Sequence, residues 1–125
     1  MMRELYLLDG DNHVYEALEG IERLGKAEVI VYVSQEGLQK KLSGRYGKRV
    51  KTVMVAPGKE AVDNKIKQHI LNEQNKRKPC SQIYVISHDR GYLKWIEKQG
   101  LAEQKSHTIK VAPKIAHCRK IDEKR

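Results

Sequence analysis

The chain has 125 residues, 25 of them Lys or Arg and 16 Asp or Glu, for a formal charge of +9. That length suits one domain with a core of its own, and so large a positive excess favours a polyanionic partner, most often nucleic acid. No apolar run has the length of a membrane span and no leader-like stretch opens the chain, so a cytoplasmic setting without a membrane is expected, with Cys80 and Cys118 reduced.

Glu4 to Leu8 is a short apolar run that Asp9-Gly10-Asp11-Asn12 breaks, as in a strand ending in a turn. Val14, Ala17, Leu18, Ile21 and Leu24 recur at helical spacing, with Glu16, Glu19 and Glu22 opposite. Asn12 is the expected cap of that helix and Gly25 its stop. Glu28 to Val33 is nearly all apolar, the pattern of a strand covered on both faces. Ser34 opens a short helix carrying Leu38 and Leu42, which gives out at Gly44-Arg45-Tyr46-Gly47. Val50 to Ala56 reads as the third strand, and Val62, Ile66 and Ile70 line one face of the helix after it. Beyond the basic loop at Lys76-Arg77-Lys78-Pro79, Gln82 to Ser87 is a fourth buried strand. The next helix turns Tyr92, Leu93 and Ile96 inward and stops at Gly100, and Thr108 to Val111 is a fifth strand. The domain is expected over residues 1–112, with 113–125 a loosely held basic tail.

Alternating strands and helices imply an α/β fold, a three-layer sandwich around a central parallel sheet with right-handed crossovers. The simplest strand order is 3-2-1-4-5. Such sheets bind ligands beyond the carboxyl ends of their strands, where the order reverses, here between strands one and four. Asp9 and Asp11 follow strand one. Asp89 follows strand four, two residues after Ser87. Asp63 lies in the first turn of the helix after strand three. Four carboxylates from three segments are thus directed to one rim. Crowded together they raise one another's pKa values. Mg²⁺ or Mn²⁺, which take carboxylate and water oxygens, would relieve the repulsion and could neutralise charge on a reacting phosphodiester. Each residue also has a plainer use: turn chemistry at 9–12, a favourable helix dipole for Asp63, a helix cap at Asp89.

Three segments resemble the PIN-like nuclease superfamily, particularly its NYN branch. They are Leu7-Leu8-Asp9-Gly10-Asp11-Asn12, Lys59-Glu60-Ala61-Val62-Asp63, and Val85-Ile86-Ser87-His88-Asp89-Arg90-Gly91-Tyr92, in the family's order and roughly its spacing. The third is the most specific. The resemblance implies a ribonuclease using one or two Mg²⁺ or Mn²⁺ ions. Asp9 would be the first metal ligand, Asp63 the central acid and Asp89 the third. Asn12 and Ser87 would orient ligands or the scissile phosphate, and Asp11 would be an additional ligand or a supporting group. Many relatives carry a further acid two residues after the third, where this chain has Gly91.

Lys40, Lys41, Arg45, Lys48 and Arg49 crowd the second helix and its end, and Lys76, Arg77 and Lys78 form a second basic patch. Such groups would hold phosphates without reading sequence. Tyr46 and Tyr92 could stack on bases, and Lys59 and Arg90, beside the acids, could hold a phosphate there. RNA is the expected partner, single-stranded DNA the second choice. Small PIN-like domains often pair, so a homodimer or partner protein is an open expectation. Two other readings compete. One is a non-catalytic nucleic-acid-binding or assembly module on the same fold, which Gly91 keeps open. The other is a phosphatase of the haloacid dehalogenase type with Asp9 as nucleophile, which lacks its expected residue at His13 and its late paired acid. A response-regulator receiver would need an Asp after strand three, where the chain has Ala56-Pro57-Gly58.

Overall fold

A strand covered on both faces must be apolar along its whole length, and the chain supplies such blocks in β1 (Glu4–Asp9), β2 (Glu28–Val33) and β4 (Gln82–Ile86). The computed structural model describes residues 4–58, 60–76, 82–89, 91–100 and 108–118. Shorter strands β3 (Lys51–Met54) and β5 (Thr108–Ala112) complete one sheet in the order β3-β2-β1-β4-β5. Every pairing is parallel. The fold is therefore α/β, with the expected strand order.

Right-handed crossovers decide which helix covers which face. Tyr6 and Leu8 of β1, with Val29, Val31 and Val33 of β2, pack against α1 (Val14–Ala17) and α2 (Glu36–Tyr46). The alternate residues Leu5, Leu7, Ile30 and Tyr32 pack against α3 (Ala61–Gln74) and α4 (Gly91–Lys98). Val62, Ile66 and Ile70 are buried at four-residue spacing, as expected. Tyr6 stacks on Tyr84 at 4.7 Å between centroids, and its hydroxyl donates to Glu4 at 3.0 Å.

Four expectations need correction. The helix expected from Val14 to Leu24 is only one turn. Gly20 takes φ 94°, and the chain resumes as a 3₁₀ turn at Ile21–Arg23. The apolar spacing is kept because both pieces bury the same face. Gly20 also lies against the C-terminal segment: a Cβ there would stand 3.0 Å from Ala116 Cα. The residue before α1 is His13, in the left-handed region at φ 53° without a side-chain cap, not Asn12. Leu93 is 47% exposed, because α4 turns Tyr92 and Ile96 inward, one full turn apart, and Leu93 projects to the side. The tail does not begin at 113. Residues 115–118 form a helical turn whose Ile115 and Cys118 are wholly buried beside Val14, Leu18 and Ile21, and a buried side chain of the Ile class is worth roughly 1.5–3 kcal/mol. Residues 119–125 lie outside the described part. Among the described residues no helix is long and apolar enough to cross a membrane.

The end of β1 is held by a glycine. Gly10 N–H donates to the Tyr32 carbonyl at 2.8 Å. A Cβ at Gly10 would stand 2.5 Å from Val33 Cγ1 and 2.7 Å from that carbonyl oxygen, both too close. Gly10→Ala is expected to cost about 1–3 kcal/mol through this overpacking, read as a lower urea midpoint at unchanged slope; an unaltered midpoint would show that the turn is free to shift.

Candidate acidic site at the carboxyl edge

The carboxyl ends of β1 and β4 meet at the centre of the sheet, where the strand order reverses. Asp9 ends β1 and is half-buried, and its Oδ1 accepts the Asp11 N–H at 3.2 Å. Asp63 comes from the first turn of α3, whose face packs across β1 and β2. Asp9, Asp11, Asn12, Glu60 and Asp63 line one open cleft of about 290 Å³. Asp89 stands beyond β4 on the neighbouring cleft of about 330 Å³, with Ser87, His88 and Leu93. The rings of His13 and His88 meet edge to face at 5.4 Å.

Burial pushes the Asp9 carboxyl above the ordinary carboxylate range. The Asp11 N–H opposes this, and the negative charges of Asp63, Asp11 and Asp89 add to it. Three of the expected acids therefore act on the fourth, Asp9. The other three also accept hydrogen bonds. Asp11 accepts the Ser34 N–H at 3.0 Å and the Ser34 hydroxyl, tying the turn after β1 to the end of β2. Asp63 accepts the Tyr92 hydroxyl at 2.6 Å. Asp89 accepts the Gly91 N–H at 2.8 Å, while its own N–H donates to Ser87 Oγ at 3.0 Å. Gly91, which stands where relatives of the resembled family often carry an acid, thus supplies a backbone donor, and a Cβ there would stand 3.0 Å from Asp89 Oδ1.

The donor set is all oxygen and suits a hard divalent cation such as Mg²⁺ or Mn²⁺. Among the described residues no three His, Cys, Asp or Glu side chains are drawn together tightly enough to hold an ion as they stand. The hydrogen bonds to Ser34, Tyr92 and Gly91 give the reason, since each turns a carboxylate toward a protein donor.

Two site residues have no signal of their own in the sequence. Tyr92 sits in an apolar stripe and is 1% exposed, so it is a buried partner of Asp63 and has no face left for stacking on a base. Burial first, then the Asp63 hydrogen bond and charge, hold its hydroxyl far above the ordinary range. Lys67, one helical turn beyond Asp63, lies over the Tyr92 and Trp95 rings at 5.8 and 5.7 Å. Glu60 could have been found, as a second carboxylate beside Asp63 in the quoted motif. It occupies the left-handed region at φ 61°, as His13 does at φ 53°, and such strain in non-glycine residues gathers at functional sites.

The basic residues are dispersed. α2 runs back toward the amino edge of the sheet, so Arg45, Lys48 and Arg49 lie away from the acids. Arg49 donates to the carbonyls of Gly25 and Ile21 at 2.7 Å each, which fixes the turn after α1. Arg45 covers the rings of Tyr15 and Tyr46 at 5.0 and 5.5 Å. Lys40 pairs with Glu36 at 3.6 Å and Lys76 with buried Glu73 at 2.8 Å. Lys41 and Lys48 are exposed. Lys59, Arg77, Lys78 and Arg90 lie outside the described residues, as does Cys80.

Because the folded pKa of Asp9 exceeds its ordinary 3.8, the native state binds more protons than the unfolded chain above that pH, and stability falls as pH rises through the folded value. Asp9→Asn is therefore expected to melt higher than the wild type at pH 7, with the difference closing below about pH 3.8. Thermal unfolding across that range checks it; a lower melting temperature at pH 7 would contradict the electrostatic account. No family model, curated protein or solved structure matches the chain.

Proposed function

We propose that this protein is a divalent-metal-dependent nuclease of the PIN-like, NYN type acting on RNA, with single-stranded DNA as the weaker substrate. The observation that carries the reading is the cleft lined by Asp9, Asp11, Glu60 and Asp63 beyond the carboxyl end of β1, beside the point where the strand order reverses. Ligands of such sheets bind there. Carboxylates gathered without a paired cation are costly, and no Lys or Arg is among the described residues that line the cleft.

Asp9, Asp63 and Asp89 would hold Mg²⁺ or Mn²⁺, with Asp11 or Glu60 as a further oxygen donor. When bound, the ion supplies positive charge against a phosphodiester and acidifies water. The chain's own residues do the rest. Tyr92 holds Asp63 by its hydroxyl. Ser87 holds the backbone of Asp89. Asn12, exposed on the cleft, would donate to a phosphate oxygen. His13 and His88, exposed and in contact, would pass a proton to a leaving oxygen.

A second reading, a nucleic-acid-binding or assembly module without catalysis, is favoured by the commitment of Asp11, Asp63 and Asp89 to protein donors. Labelled RNA incubated with the protein and Mn²⁺ separates the two. Cleavage is expected that chelator abolishes and Asp89→Asn lowers at least about 100-fold, with Tyr92→Phe, a group that only supports a ligand, losing about 10–100-fold. Cleavage that survives chelator or Asp89→Asn would sink the nuclease reading. Binding without cleavage would establish the module. Phosphate release from a small phosphomonoester, abolished by Asp9→Asn, would point to a phosphatase instead.

A further inference from the structure

On the face of the sheet that carries α3 and α4, α3 packs mainly across β1 and β2 and leaves a gap beside the edge strand β3, whose Val53 is only partly buried. The gap is a groove of about 310 Å³ between helix and strand, distinct from the acidic cleft. Its rim carries Lys51 from β3, Lys65, Gln68 and Asn72 from α3, and Lys76 just after it; no Asp or Glu is among the described residues that line it. Lys51, Lys65 and Lys76 are exposed. Lys76 is paired with Glu73, but no described carboxylate lies within ion-pair distance of Lys51 or Lys65.

The floor is aromatic and neutral. The Tyr32 hydroxyl and His69 Nδ1 share a hydrogen bond. Burial pushes the Tyr32 hydroxyl up and the His69 imidazole down, which favours the uncharged form of both.

The groove has a direction. Ala61, Lys65, Gln68 and Asn72 follow one another at spacings of four, three and four residues, a single stripe along α3. Ala61 lines the acidic cleft and the others line the groove. From Ala61 to Asn72 the stripe rises about 16 Å, the length of on the order of five stacked nucleotides at about 3.4 Å each. Lys65 on this stripe, Lys51 across the groove on β3 and Lys76 beyond the end of α3, with Gln68 and Asn72 between, match a repeating charge better than a single anion.

We infer that the groove between α3 and β3, rimmed by Lys51, Lys65 and Lys76, binds the phosphodiester backbone of a single RNA strand and leads it along α3 to the acidic cleft. The inference rests on the nucleic-acid reading above, but not on catalysis.

The test is the affinity of the full chain for a labelled 12-nucleotide oligouridine, measured by fluorescence anisotropy in chelator across a salt series. Lys51→Gln/Lys65→Gln is expected to weaken binding about 10-fold and to reduce the log–log salt slope by about 1.4, two phosphate contacts at about 0.7 each. Lys26→Gln/Lys98→Gln, the same charge change at exposed sites off the groove, should bind within twofold of wild type. Both doubles should melt with the wild type. Equal weakening by the two doubles would reduce the effect to net charge and overturn the inference, as would no binding by the wild type, or displacement of the RNA by polyglutamate at equal charge concentration. Groove-dependent binding without cleavage in Mn²⁺ would support the inference while removing the nuclease reading. Cleavage in Mn²⁺ by a protein whose groove variant binds as tightly as wild type would do the reverse.

Discussion

The two-sided burial of β1 is the constraint on which the rest depends. Leu5 and Leu7 face one core and Tyr6 and Leu8 the other, and all four are almost wholly inaccessible. A strand buried on both faces can only be central, with β2 on one side and β4 on the other. The first polar residue after it then has one place to go, the carboxyl edge between those neighbours. Asp9 takes that place because the apolar block ends at Leu8. Gly10 lets the chain pass close over β2 without a side chain, so Asp11 can reach Ser34. The acidic cleft is thus a consequence of where the central strand stops.

The same cleft sets two tendencies against each other. Crowded carboxylates disfavour one another's charge, and each hydrogen bond donated to them favours it. Tyr92, Ser34 and the Gly91 N–H each hold one carboxylate, and for Asp9 the Asp11 N–H falls short of offsetting burial, so that its carboxyl is pushed above the ordinary range. Tyr92 spans the two helices of one face: its hydroxyl fixes Asp63 on α3, and Lys67 of the same helix covers its ring. A small rotation of α4 would therefore alter the environment of an acid on α3.

Much of the architecture is legible in the residues because parallel strands are written as apolar blocks and their helices as stripes of period near four. Leu38 and Leu42, and Val62, Ile66 and Ile70, needed no tertiary information. The break at Gly20 did, since a positive φ leaves the apolar spacing intact and shows only through contact with Ala116. Leu93 misled because it adjoins two buried positions on a short helix. Ile115 and Cys118 were hidden by the basic residues around them. At the site, Asp9, Asp11 and Asp63 could be placed on one rim from topology alone. What they touch could not: Asp63 meets Tyr92 across 29 positions of sequence, and Asp11 meets Ser34 across 23. Pairings of that kind have no local signature.

The partners of the central strand lie at very different distances along the sequence. β1 occupies residues 4–9 and β2 begins at residue 28, whereas β4 begins at residue 82 and the turn that seals α1 lies at 115–118. β1 and β2 can therefore pair across a short connection, while the other edge of β1 waits for a strand more than seventy residues away. Long-range parallel pairing is slow because loop closure must precede its reward, and until that pairing forms, the apolar edge of β1 is open to other strands.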